Sequence, residues 1–145
     1  LDLYSEMKFS NYLEKQGYEV YFPHRDKGID LIAIKNRKTS YYQLKARNPE
    51  QNTQNFWFEV KTKKLDESLY IPNFFWVFCV LLGKQFKYFK ITPKILKEDW
   101  WKVRKNNARE GRKNDFHFQI TKTENWYEPK PKEIKINLQK YLLNP

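Results

Sequence analysis

Apolar and polar positions alternate with two different periods along the chain, and the switches between them divide it into helices and strands. The opening "LDLYSEMKFSNYLEKQGYEV" is built from helix formers and stops at Gly17, a natural C-terminal cap position, before the β-rich "YEVYFP". "GIDLIAIK" is a short apolar run, "NRKT" reads as a turn, and "SYYQLKAR" alternates, which together predict a hairpin of two central strands. Residues 48–56 form a polar loop, after which "WFEV" reads as a short strand and "KTKKLDESLY" as a short helix. "NFFWVFCVLL" and "KQFKYFKIT" flank Gly83 as a second hairpin, its first strand apolar on both faces as a central strand should be.

Beyond this hairpin, Thr92 is placed to cap a further helix and Pro93 suits its first position. Leu96, Trp100 and Val103 recur at helical spacing, with a basic opposite face. "DFHFQIT" reads as a strand. Ile134, Leu138, Tyr141 and Leu142 recur at i, i+4, i+7 and i+8, which predicts a terminal amphipathic helix that closes the core or supplies a subunit interface. No internal repeat or low-complexity linker interrupts the pattern.

A length of 145 residues suits one domain. Lysine and arginine total 28 against 17 acidic residues, a net charge of +11, which favours a polyanionic partner. Nucleic acid leads, because phosphate contacts need many cations and an 18% aromatic content can add stacking. A membrane surface fits less well: the charge is spread along the chain, and no apolar run approaches the ~20 residues of a span. The one cysteine, Cys79, lies in "FFWVFCVLL" and reads as core filling; it cannot form an internal disulfide, which fits a reducing, cytoplasmic setting.

The candidate chemistry comes from polar residues on strands that otherwise read as core. Residues two apart on a strand point the same way, so Gln43 and Lys45 share a face while Tyr42 and Leu44 take the other. In a hairpin of 28–35 with 40–47, Asp30 approaches Gln43 and Lys45 where the strands splay. A carboxylate and an amide oxygen are hard ligands suited to Mg²⁺, and a nearby ammonium can orient water or stabilise charge on a phosphoryl group. Glu6 precedes Phe9 by three residues and Leu13 by seven, which places an acid on the helix face that packs toward the sheet.

With Glu6 on the first helix, Asp30 in "GID", and Gln43 and Lys45 in "QLK", the sequence resembles the PD-(D/E)xK nuclease superfamily. The resemblance covers roughly residues 3–92. It implies an α/β, restriction-endonuclease-like αβββαβ core, with a mixed central sheet flanked by helices, followed by a basic C-terminal extension over 93–145. It also implies a magnesium-dependent endodeoxyribonuclease with Asp30, Gln43 and Glu6 at the metal and Lys45 beside it. Gln43 departs from the usual Glu or Asp and removes one negative charge from the metal site. The layout is most like the small bacterial homing endonucleases of group I introns, which implies double-stranded DNA as partner and a homo-oligomer, dimer or tetramer. Holliday junction resolvases and restriction enzymes share the core and stay open, as does an inactive basic nucleic-acid-binding module.

Lys102, Arg104, Lys105, Arg109, Arg112 and Lys113 stand against a single acid, Glu110, as a solvated face or, favoured by their place after the core, a DNA-contacting arm. Arg37, Lys38 and Arg47 are further phosphate candidates. His24 and Asp26 lie in a loop after a proline, where such residues usually serve solubility. His117 reads as a sheet-surface residue, and no second His or Cys stands near enough to argue zinc.

Overall fold

The computed structural model describes residues 1–24, 28–101, 115–122, 125–128 and 136–143. Helix α1 (Asp2–Lys15) buries Phe9 and Leu13, spaced one turn apart. It ends where Gly17 adopts φ +93°, with the Gly17 N–H donating to the Glu14 carbonyl at 3.0 Å and the Tyr18 N–H to that of Leu13 at 3.1 Å. This cap turns the chain into β1 (Glu19–Tyr21).

Strands β2 (Leu31–Lys35) and β3 (Lys38–Arg47) form the expected antiparallel hairpin. Asn36 and Arg37 between them both take positive φ, the hairpin turn whose twist matches that of the strands. Then come β4 (Asn55–Lys61), α2 (Thr62–Ser68), β5 (Phe74–Leu82) and β6 (Gln85–Ile91). A first mixed sheet has the order β1-β2-β3-β5-β6, with β3 and β5 parallel at its centre and the other pairs antiparallel. The α/β architecture of a mixed sheet flanked by helices is therefore present.

The expected core has no place for β4, which leaves the first sheet and pairs with β7 (Asp115–Lys122). With β8 (Trp126–Glu128) and β9 (Ile136–Asn137) these make a second, antiparallel sheet. It takes strands from both sides of residue 92.

Two apolar clusters cover the two faces of the first sheet. Phe9 and Leu13 of α1 pack on Leu31, Ala33, Tyr42, Leu44 and Cys79, with the Phe9 and Tyr42 rings 5.3 Å apart edge to face. On the other face Phe78 meets Phe58 and Phe118 of the second sheet at 5.1 and 4.8 Å. Burying each such ring contributes about 1.5–3 kcal/mol. The layers are thus α1, first sheet, second sheet.

Two expectations change after β6. Thr92 does cap, its Oγ1 accepting from the Ile95 N–H at 3.2 Å, but the helix α3 (Pro93–Ile95) widens at once into a π-helical turn, Leu96–Trp101. Val103 lies outside the described residues. The terminal amphipathic helix does not form over 136–143. Asn137 Oδ1 accepts from the Gln139 N–H at 2.9 Å, ending β9 and starting a 3₁₀ turn, Gln139–Tyr141. Leu138 is fully buried in the second cluster. Leu142 then bridges to Phe89, and the Leu143 N–H donates to the Tyr88 carbonyl at 2.9 Å. The apolar spacing serves a tail that covers the β6 edge, a common protection for unpaired backbone groups. Among the described residues, no helix is long and apolar enough to cross a membrane.

Candidate active site

Asp30 sits just before β2, where Gly28 at φ +86° allows the chain to turn into the hairpin. Its N–H donates to the Tyr42 carbonyl at 2.8 Å. Its Oδ2 accepts from the Leu44 N–H at 2.8 Å. That amide lies between Gln43 and Lys45 in the chain, so one hydrogen bond ties the carboxylate to the backbone between them.

Strand alternation sorts the rest of β3. Tyr42, Leu44 and Ala46 lie beneath α1. Gln43, Lys45 and Arg47 take the opposite face, with the Arg47 guanidinium 5.6 Å from the Phe58 ring of the second sheet. Gln43 is 8% exposed, and its Oε1 is buried with no hydrogen-bond partner. An amide oxygen left in that state costs about 1–3 kcal/mol, which a donor or a cation can repay. The half-buried Lys45 ammonium is pushed below its ordinary pKa, first by burial and then by Arg47 and Lys64; Asp2 and Glu59 act in the opposite sense.

Glu6 is half-buried on α1, which covers the other face of β3. Asp2 stands one turn before it on the same stripe, and its charge reaches Lys45. The Cys79 thiol, buried in the core, is pushed up by burial and then by Asp30 and Asp2. Among the described residues, no group of three or more His, Cys, Asp or Glu side chains is gathered to hold a metal ion.

Three charged residues near Lys45 were not singled out from the sequence. Asp2 had a signal, since it lies at i−4 from Glu6. Glu59 and Lys64 had none, because β4 belongs to the second sheet and α2 packs on β5, with Trp76 Nε1 donating to Ser68 Oγ at 3.0 Å. Lys64 lines a cleft of about 320 Å³ with Gly28, Ser68 and Trp76; Trp76 is the register partner of Gln43 on β5.

The remaining candidates fall elsewhere. Arg37 lies in the hairpin turn and Lys38 begins β3, and seven residue steps of extended strand, about 23 Å, separate Lys38 from Lys45. Arg47 alone of the three phosphate candidates adjoins Lys45. His24 is exposed. His117 lies opposite Glu59 in the second sheet. Asp26, Lys102, Arg104, Lys105, Arg109, Arg112 and Lys113 lie outside the described residues.

This fold has a solved counterpart. The chain is similar to a bacterial homing endonuclease, I-Ssp6803I, with a TM-score of 0.51 and 13% sequence identity over 86% of this chain and 75% of that one. At that identity the likeness establishes the shared fold. No protein-family model and no curated protein matches the sequence.

Proposed function

We propose that the chain is a metal-dependent DNA endonuclease of the PD-(D/E)xK type, working at Asp30, Gln43 and Lys45. The observation that carries this is the Asp30 Oδ2 to Leu44 N–H hydrogen bond, which ties a carboxylate to the backbone between Gln43, whose amide oxygen is buried with no hydrogen-bond partner, and Lys45, whose ammonium is half-buried. Support at the level of fold comes from the likeness to a homing endonuclease.

The Asp30 carboxylate and Gln43 Oε1 would hold a hard cation, and Glu6, on the α1 side of β3, would assist the metal or the water. When bound there, magnesium supplies Lewis acidity toward a phosphoryl oxygen and makes water more acidic. The protein's own part is positioning. Leu44 N–H holds the Asp30 carboxylate in one orientation. Lys45 offers positive charge where the phosphate gains negative charge as water adds to phosphorus and the bond to the leaving ester oxygen breaks. Arg47 holds the neighbouring backbone phosphate. Double-stranded DNA is the substrate that the likeness to a homing endonuclease suggests, and the net charge of +11 suits its phosphates. Cutting both strands needs a second copy of the site, hence a homo-oligomer, dimer or tetramer. Within this class we favour homing over resolving or restricting.

The test is cleavage of a randomised duplex library in magnesium, with the cut ends sequenced. Lys45→Ala lowers the rate by about 10²–10³-fold, the usual loss when one preorganised charge-stabilising group is removed, while duplex binding is kept. Normal cleavage by that variant sinks the assignment. A second reading, an inactive nucleic-acid-binding module, is favoured by the neutral Gln43 and by the absence of a three-acid cluster among the described residues. It predicts salt-sensitive binding with no metal-dependent cleavage by the wild type.

A further inference from the structure

A second concentration of positive charge lies on the α1 face of the first sheet, reaching from the β2–β3 turn to Lys90, which is level with Leu44 across β5. Lys35 ends β2, Lys38 and Ser40 begin β3, Phe75 begins β5 and Lys90 lies near the end of β6. With Tyr18, they line a cleft of about 420 Å³. It opens on the α1 side, beyond the C-terminal end of that helix.

Two of the three ammonium groups are held in place. Lys35 Nζ donates to the Gln16 carbonyl at 2.6 Å and lies 5.1 Å from the Tyr18 ring centroid, with donors to spare. Lys90 Nζ sits 4.1 Å from the centroid of Phe75 and 5.9 Å from that of Tyr42. Among the described residues, no carboxylate forms an ion pair with Lys35, Lys38 or Lys90. The Lys90 ammonium is instead pushed below its ordinary pKa by burial and then by Lys38. Like charges gathered in a half-buried cleft without a counter-charge are unfavourable, and an anion entering among them removes that cost.

We propose that this cleft is a phosphate-binding site, distinct from the Asp30, Gln43 and Lys45 groups, in which Lys35, Lys38 and Lys90 hold a phosphate or phosphodiester group. Phosphate is the class chosen because it carries several acceptor oxygens for donors arriving from three strands. The group comes either from a nucleic-acid backbone or from a free phosphate ester. Nothing in the proposal requires the protein to cut DNA.

Inorganic pyrophosphate is titrated calorimetrically into the wild type and into Lys38→Met, Lys90→Met, Lys90→Arg and Lys84→Met. The wild type binds, Lys38→Met and Lys90→Met bind at least roughly tenfold more weakly, as expected when one contact to a charged group is lost, and Lys90→Arg restores binding. Lys84→Met, at the exposed β5–β6 turn, is unchanged. Lys38 is exposed, so its variant reports on the cleft even where Lys90→Met disturbs packing. A second arm measures binding of a short duplex against salt. A slope reduced by about one per lysine removed assigns the phosphate to a nucleic-acid backbone. An unchanged slope with weakened pyrophosphate binding assigns it to a free phosphate ester. Lys38→Met and Lys90→Met binding both pyrophosphate and duplex like the wild type overturns the proposal, as does a wild type that binds neither. Loss of cleavage plays no part in either arm, so this site and the proposed nuclease site fail separately.

Discussion

The two faces of β3 are made by the same ten residues and are held in different ways. Beneath α1, Tyr42 is 1% exposed, its ring in edge contact with Phe9 and stacked on Phe75. Toward the second sheet, Gln43 is almost as buried, yet its amide oxygen has no partner, and Lys45 beside it has lost part of its hydration. One face is satisfied by packing; the other holds polar groups at a cost to stability. Buried polar groups kept at such a cost are where function is expected, because stability alone would replace them.

Substitutions that separate the faces give the largest effects first. Tyr42→Ala removes a ring from the packed face and lowers unfolding free energy by about 3–5 kcal/mol, read from denaturant melts. A loss below 1 kcal/mol shows that α1 is not held through this ring. The same residue makes the packed face sensitive to high pH. Burial, then Tyr18, raises the Tyr42 hydroxyl pKa to about 12, against 10.0 in its ordinary state. The fold therefore favours the neutral phenol, and this stability is fully present below pH 10 and lost as pH rises through 12. The loss is on the order of 2–3 kcal/mol. Tyr42→Phe flattens the alkaline limb of the stability profile; an unchanged limb assigns it to other tyrosines.

On the polar face the expected sign reverses. Gln43→Met keeps the shape and removes the orphaned amide, so it stabilises the protein by about 1–2 kcal/mol while abolishing cleavage. A destabilised variant that still cuts breaks the contrast between the faces.

Much of the first sheet was legible in the sequence because its signals are local. The period-2 alternation of "SYYQLKAR", the cap at Gly17 and the Thr92–Pro93 pair each depend on neighbours a few residues away. The pairing of Asp30 with the stretch from Gln43 to Lys45 was legible for the same reason, since a two-residue turn fixes the hairpin register. The second sheet was not legible. β4 pairs with β7 across roughly sixty residues, and no local pattern encodes that partnership. The end of the chain misled because Leu138, Tyr141 and Leu142 satisfy helical spacing, while the Asn137 side chain stops β9 and a β6 edge accepts the tail. Glu59 reaches the site from the second sheet and Lys64 from α2 packed on β5, placements that no local pattern encodes.

The central claim is that Asp30 makes the polar face a metal-dependent cutting site. Asp30→Asn tests it most directly, since the amide oxygen can still accept from Leu44 N–H and preserve the hairpin. Cleavage of duplex DNA in magnesium is measured for the wild type, the wild type with EDTA, and the variant, alongside duplex binding. Expected are cutting by the wild type, none with EDTA, and a loss of about 10²-fold or more in the variant with binding unchanged. Equal cleavage by Asp30→Asn, or cleavage that survives EDTA, contradicts the claim.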